Sequence, residues 1–398
     1  MSISYQGGNR MADKGRIRST VILHVAPIRH DQVSGLTFAI PPSVAALHSL
    51  GVQTGLLITS ALGRYEKPEP YPVVYIRDIP LYAAIASMPE PLNKPDLIVF
   101  HSTYILEHIL LAYEAVQRKI PYVIKPHGGM TRGAQQAKHL KKMVGNFLFF
   151  NWLVRNAAAL NCLTEREAVD VKNMWNTPVF VVGNGVNLPP LEVLAHPGSK
   201  AELQFVFLGR FDIHHKGLDL LVEACDIIKE NLRKFRVKIL FYGSDIAGSK
   251  TQLERLINNY QIQDLVHVKD PVWGEAKQAV FQSADLFLHT SRFEGHPIAV
   301  LEALSYGIPC LLTPGTNMAT EVAAAEAGWA VEPNPAAIAQ AMSNVVAARW
   351  EISARGQAAR DLVEKKYLWT QIGAQSLREY ERIISEKALA KTHLTCIK

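Results

Sequence analysis

Cysteine is scarce in this chain, and the four present, Cys162, Cys225, Cys310 and Cys396, lie far apart with none of the paired spacings that a disulfide framework or a zinc site requires. This excludes a crosslinked or zinc-organised scaffold and points to buried thiols in a reducing compartment. Long apolar runs are also missing. No stretch reaches the roughly 18–20 residues needed to cross a bilayer, and residues 21–28 are too short and too poorly flanked for a signal peptide. The expected location is therefore cytoplasmic. No Gly-x-Gly-x-x-Gly follows the first strand pattern, which argues against a nicotinamide dehydrogenase. No Asp-x-Asp metal motif, short-period repeat or low-complexity tract occurs. Acidic residues are absent between Glu114 and Glu165, while Arg118, Lys119, Lys125, Arg132, Lys138, Lys141, Lys142 and Arg155 are all basic. A segment of one sign attracts an anionic partner.

What the sequence does contain is 398 residues with 48% hydrophobic content, more than one core usually serves. Short apolar runs such as Val21-Ile22-Leu23-His24-Val25, Leu97-Ile98-Val99-Phe100, Phe205-Val206-Phe207-Leu208 and Asp285-Leu286-Phe287-Leu288 read as buried parallel strands. Helical patterns separate them, so the class is α/β with repeated strand-helix-strand units. Strands are expected near 20–27, 53–59, 73–76, 96–101, 121–126, 159–163 and 178–182, then near 203–208, 237–242, 265–268, 285–289 and 309–312. Helices are expected near 36–50, 103–118, 136–155 and 165–174 in the first half, and near 335–348, 353–366 and 369–388 at the end. The polar residues 1–16 read as a disordered lead-in. A Rossmann-like domain over 17–189 and a second over 190–368 meet at a Pro- and Gly-rich stretch from Asn187 to Gly198. The final segment, 369–398, reads as a helix able to cross back to the first domain. Two doubly wound sheets would face each other across a cleft with their strand carboxyl ends, where such sheets bind ligands.

The motifs fall at those ends. Glu294 and Glu302 bracket Gly295-His296-Pro297-Ile298, with Pro297 suited to the first helical position and Gly307 to the position just past the end. An unpaired carboxylate at Glu302, inside an apolar helix, needs a hydrogen-bonding partner, and a pair of sugar hydroxyls fits. Glu294 would stand at the cleft mouth and the helix N–H groups would suit phosphate. The pair reads as a nucleotide-sugar clamp. The loop Gly209-Arg210-Phe211-Asp212-Ile213-His214-His215-Lys216-Gly217 follows one strand and precedes a helix, so Arg210 and Lys216 can converge on a diphosphate. Lys125-Pro126-His127-Gly128-Gly129-Met130 ends another strand, with two glycines allowing close backbone approach. His127 is a candidate contact to the transferred sugar or the acceptor. Ser34-Gly35 is a weaker phosphate loop, and Asn184-Gly185-Val186 is most simply a tight turn.

This combination, in order and spacing from about Val21 to Trp369, resembles the retaining nucleotide-sugar glycosyltransferases of family 4, also called group 1, with the GT-B fold. The resemblance implies that Arg210 and Lys216 bind the donor diphosphate with Gly209 and Gly35 close by. It places Glu294 on a donor-sugar hydroxyl, Glu302 on the ribose and His127 beside the transferred sugar. Gly295, His296, Pro297 and Ile298 would complete the donor site, and Gly128, Gly129, Met130 and Arg132 the acceptor side. Many members read Glu-Gly-Phe-Gly between the glutamates, whereas this chain has Glu294-Gly295-His296-Pro297. His296 then either adds a charge-assisted phosphate contact or takes the packing role of the Phe.

The implied reaction moves a hexose from a nucleoside diphosphate sugar to an acceptor hydroxyl with retention. It uses no cofactor, no metal and no protein general base, because the leaving phosphate takes the proton. The competing readings are a nucleotide-sugar epimerase, a phosphorylase on the same scaffold, and a non-catalytic sugar-nucleotide-binding protein. The expected acceptor is a glycan or lipid-linked glycan of surface polysaccharide or glycolipid assembly, and no nucleic acid is implied. Phe147, Phe149, Phe150 and Trp152 follow the basic residues of 115–164. They read either as a peripheral contact with anionic lipid at the inner face of a membrane or as a helix that packs one side into the core.

Overall fold

The computed structural model describes residues 19–28, 35–60, 65, 67–131, 135, 150–195 and 201–396, with side chains to 389. The expected lead-in, 1–16, lies outside the described residues, as do Ser34, Arg132, Lys138, Lys141, Lys142, Phe147, Phe149 and most of the helix expected over 136–155.

In the first half, β1 (Val21–Ala26), β2 (Gln53–Ile58), β3 (Val73–Tyr75), β4 (Leu97–His101), β5 (Tyr122–Lys125), β6 (Ala159–Cys162) and β7 (Val179–Val181) form one parallel sheet in the order β3-β2-β1-β4-β5-β6-β7. In the second, β8 (Leu203–Leu208), β9 (Val237–Tyr242), β10 (Val266–Lys269), β11 (Leu286–His289), β12 (Cys310–Leu312) and β13 (Gly328–Ala330) run in the order β10-β9-β8-β11-β12-β13, again parallel. The strands are apolar throughout because helices cover both faces of a parallel sheet. Leu23 and Val25 enter one core and Ile22 the opposite one, as the two-residue side-chain period requires. In both sheets the order reverses beside the first strand, between β1 and β4 and between β8 and β11. Ligands of doubly wound sheets bind at such points.

Strand β13 was not among the expected elements. Its three residues, Gly328-Trp329-Ala330, are too short and too Gly-containing to show an apolar run, and pairing with β12 alone places them. The helix Trp369–Cys396 packs on the first domain: Trp369, Ile372, Tyr380 and Ile383 join Ile22, Val99 and Val123 in one core. Gly373 lets it approach closely, since a Cβ there would lie 3.0 Å from Ala46 Cβ of the helix Gly35–Ser49. The chain segments between the halves are pinned together, Val186 N donating to Tyr367 O at 2.8 Å and Trp369 N to Val186 O at 3.3 Å. Cys162, Cys225 and Cys310 are buried and free.

Candidate functional site

A cavity of about 540 Å³ opens between the two sheets and is lined by both. Gly35, His127, Gly128, Gly129, Gly209, Arg210, Lys216, Glu294, Gly295, His296, Pro297, Ile298 and Glu302 all border it. Among the described residues, one expected site residue does not. Met130 is fully buried in the first domain's core, because the turn through Gly128 and Gly129 directs its side chain inward. Arg132 lies outside the described residues.

The second domain's wall is built on β8 and β11. Gly209 follows β8, and the backbone there is so close to the β9 loop that a Cβ on Gly243 would lie 1.8 Å from Gly209 O. Asp212 then caps the short helix Ile213–Lys216 by accepting from His215 N at 3.2 Å, and Gly217, at φ +62°, ends it. Lys216, only 9% exposed, donates to Glu294 Oε1. Ser291 Oγ donates to the same oxygen at 2.9 Å and His289 Nε2 lies 3.3 Å away. Burial alone would raise the Glu294 pKa, but Lys216 and the His289 contact hold it well below the ordinary carboxylate value. His215 stacks on Phe293 at 4.2 Å between ring centroids, and burial lowers its pKa. Glu294 is thus an ionised group on the cavity floor and not at the mouth, because its cationic partner is itself buried.

The first domain's wall meets this floor backbone to backbone. A Cβ on Gly128 (φ +81°) would lie 2.7 Å from Gly295 Cα, and one on Gly295 would lie 2.9 Å from Gly128 N. Only paired glycines permit that approach. Gly128 N also donates to Glu167 Oε1 at 2.8 Å, and Leu163 N donates to Glu167 Oε2 at 2.7 Å. Glu167 is fully buried, which pushes its pKa up to about 7 against these bonds and the Lys125 charge. Beside the glycines, Asn184 N donates to His296 Nδ1 and Asn184 Nδ2 to His296 O, both at 3.0 Å. Burial lowers the His296 pKa to about 4, so the ring is neutral and packs near Tyr367. In this structure His296 takes the packing arrangement, with Nδ1 accepting from Asn184 N and the ring beside Tyr367. Asn184 is a buried clasp between domains and more than a turn residue.

Pro297 caps the helix Ile298–Ser305 from outside, one position before its expected place, because its ψ of 116° is extended. Gly307, at φ +76°, closes the other end. Glu302 already has a protein partner: Lys277 Nζ donates to both carboxylate oxygens at 2.6 Å and lies 5.1 Å from the centre of the Phe38 ring of the first domain. The need for a partner was real, and Lys277, on the preceding helix Gly274–Ser283, supplies it.

Lys277 and Glu167 were not singled out from the sequence as site residues, and Asn184 reads there most simply as part of a tight turn. For Glu167 a signal existed, since Thr164-x-x-Glu167 has the spacing of a helix capping box. The other two act through tertiary contacts with no local pattern.

The sequence profile described as "Glycosyltransferase Family 4" matches residues 41–189, and that described as "Glycosyl transferases group 1" matches residues 195–365. A protein of Escherichia coli K12 named for colanic acid biosynthesis is 34% identical over 135 residues, and the match spans about a third of its length and of this chain. The GDP-mannose:cellobiosyl-diphosphopolyprenol alpha-mannosyltransferase of Xanthomonas campestris is 26% identical over 312 residues, covering 75% of this chain and 77% of that protein. Among solved structures, sucrose-phosphate synthase from Thermosynechococcus elongatus superposes with a TM-score of 0.73 over 92% of this chain and 100% of that one, at 16% identity. Anabaena HepE in complex with UDP-glucose gives 0.69 over 93% of this chain and 99% of that one, also at 16%. With two parallel sheets closing on one cavity and both profiles matched in order, the chain belongs to the group 1, family 4 glycosyltransferases and has the GT-B fold.

Proposed function

We propose that the protein transfers a hexose from a nucleoside diphosphate sugar to an acceptor hydroxyl, with retention at the anomeric carbon. One observation carries this reading: Arg210, Lys216 and Glu294 from one domain and the His127–Gly129 loop from the other border a single cavity at the switch points of both sheets. In the scheme the diphosphate lies against Arg210, Lys216 and the first N–H groups of the helix Ile298–Ser305. Lys216 has three N–H donors, so the bond to Glu294 orients the ammonium and leaves capacity for phosphate oxygens. Glu294 takes a hydroxyl of the donor sugar, and Glu302, steadied by Lys277, takes the ribose. As the bond from the anomeric carbon to the diphosphate oxygen breaks, the negative charge left on the diphosphate meets cations already in position. The acceptor oxygen bonds to the anomeric carbon on the same face and its proton passes to the departing phosphate. The cation pair supplies the charge that a metal ion would otherwise bring.

The acceptor we propose is a lipid-linked glycan. Two relatives carry names that pair a nucleotide sugar with a polyprenyl diphosphate acceptor, the mannosyltransferase above and the UDP-Gal:alpha-D-GlcNAc-diphosphoundecaprenol alpha-1,3-galactosyltransferase of Escherichia coli, 26% identical over 241 residues and covering 56% of this chain and 58% of that protein. The first domain also shows an apolar stripe. Leu106, Leu110 and Tyr113 follow one another at i, i+4 and i+7 on the helix Leu106–Gln117 and are 64%, 47% and 58% exposed. Trp152 lies beside Tyr113 at 6.3 Å between ring centroids, and Lys119 and Arg155 are exposed nearby in sequence. The stripe's own helix carries Glu107 and Glu114, but Trp152, Lys119 and Arg155 beside it belong to the acid-free stretch between Glu114 and Glu165, and an apolar stripe flanked by such cations suits anionic lipid. Phe150 does not contribute, being buried in the core. No described helix is long and apolar enough to cross a membrane.

Calorimetry with UDP- and GDP-hexoses identifies the donor, and the coupling constant of the product's anomeric proton reports retention. Arg210→Ala with Lys216→Ala should lower turnover by about a hundredfold or more per group. Near-normal turnover in the double variant would defeat the mechanism. Sedimentation with anionic vesicles at low salt tests the stripe, and equal binding by Leu110→Glu with Tyr113→Glu would count against it.

A further inference from the structure

Beneath His127 lies a row of buried imidazoles that the scheme above does not use. His24 on β1 pairs in register with Val99 of β4, so His101, two residues on, shares its face; Lys125 on β5 is the register partner of His101. His24 Nδ1 lies 2.9 Å from His101 Nε2, and His101 Nδ1 lies 2.9 Å from His127 Nε2. Successive ring centroids are 5.2 Å apart with interplanar angles of 29° and 30°. His127 itself is held at φ +51°, a left-handed backbone that a residue with a Cβ rarely adopts.

We infer that His24 and His101 set the tautomer of His127, presenting it to the cavity as a hydrogen-bond donor through Nδ1. A neutral imidazole has one N–H, so a chain of this kind runs in one of two senses. In one, His24 donates to His101 and His101 to His127, which leaves the His127 hydrogen on Nδ1. In the other, the donation runs inward and His24 Nε2 carries a hydrogen. That nitrogen is buried without a partner among the described residues. An orphan lone pair there is the better ending, because a buried N–H left without an acceptor is a rarer fault than an unsatisfied acceptor, and the Lys125 charge acts against positive charge on all three rings. The outward sense also turns the positive ends of the bonds toward the cavity, where the diphosphate sugar of the reading above would lie; this second argument rests on that reading. The row cannot carry a proton away from the acceptor. A proton reaching His24 would make a buried imidazolium close to a buried ammonium, with no described group to accept it.

His24 and His101 are therefore positioning residues, and their effect is spectroscopic before it is kinetic. Two-bond ¹⁵N–¹H correlation spectra of the full-length, deuterated, ¹⁵N-histidine-labelled protein at pH 7.5, assigned with single His variants, read the protonated nitrogen of each ring. The expected result is Nδ1–H with a pyridine-like Nε2 on His24, His101 and His127. In His24→Leu, checked for folding by circular dichroism, His127 should move to a mixture of both tautomers in comparable amounts. Nε2–H on His127 in the unsubstituted protein overturns the inference, and an unchanged His127 tautomer in a folded His24→Leu overturns the part assigned to His24. Failure of the donor-binding reading would appear instead as absence of heat with UDP- and GDP-hexoses, leaving the tautomer result standing.

Discussion

Replacing Gly295 by Ala places one methyl group at the tightest point between the domains. The added carbon would lie 2.9 Å from Gly128 N, 3.0 Å from Gly128 Cα and 3.1 Å from His127 C. Non-bonded carbons sit about 3.5–4.0 Å apart, so the facing loops must separate by roughly 0.5–1 Å. The obstacle is backbone on the far side, which cannot rotate away as a side chain tip can. Gly295 is not among the positive-φ glycines, so alanine brings no conformational penalty of its own and the effect is a wedge. Arg210, Lys216 and Glu302 all sit on the second domain with Gly295, so donor affinity should change less than about threefold, well under the 1.4 kcal/mol of a tenfold step. His127 and the acceptor side move away from the anomeric carbon, and a misplacement of about 1 Å costs on the order of a hundredfold in rate. The expected variant binds donor normally and turns over about a hundredfold more slowly. Calorimetry and initial-rate kinetics on one preparation measure both. Turnover within twofold of the parent, at full occupancy, would refute the claim that this glycine contact sets the distance between the walls.

Lys277→Met leaves the half-buried Glu302 carboxylate without its bidentate partner and should reduce unfolding free energy in urea by about 1–3 kcal/mol. Adding Glu302→Leu should recover part of the loss, and a single variant as stable as the parent would show that the pair contributes nothing. Asn184→Ala removes the bond to His296 O and should lower stability by about 1–3 kcal/mol while leaving donor affinity intact; thermal melts and calorimetry check the two halves of that statement. Acid should destabilise the fold. His24 and His108 have pKa values lowered by burial to about 3, and His296 to about 4. The unfolded chain therefore binds protons that the folded one refuses, so this stability is present above the unfolded value of 6.5 and lost as pH falls. At pH 5.5 each ring costs about 1.4 kcal/mol, or about 4 together. Glu167 opposes them, because its pKa is raised by burial to about 7 and the folded state gains its proton first; the offset at pH 5.5 is about 2 kcal/mol. His101 and His127, also held well below 6.5 by burial, add to the loss, so urea titrations should show a fall of at least about 2 kcal/mol between pH 8 and 5.5, and stability that rises over that interval would contradict the burial of these rings.

Why the sheets were readable and the site only partly so follows from where each kind of information resides. A strand buried on both faces must be apolar along its length, so Val21–Ala26 or Leu203–Leu208 announces itself in six residues. The ligand edge then follows from topology, which is how His127, Arg210, Lys216 and Glu294 could be chosen before any coordinates. Partners are a different matter. Lys216 and Glu294 were each assigned to the ligand, and the structure shows that they also bind each other across 78 positions of sequence. Met130 misled because it follows two loop glycines, and nothing local says on which side of a turn a side chain emerges. The His row shows what a finer reading requires. His24 and His101 interrupt or end strands that are otherwise apolar, and a polar ring on a doubly covered sheet needs a hydrogen-bond partner. That demand was visible in one dimension. Its answer, a neighbouring strand that carries a second imidazole two residues beyond the register partner and leads to the cavity, is a property of strand order, so a polar residue inside a parallel strand is best read together with the strands that the fold sets beside it.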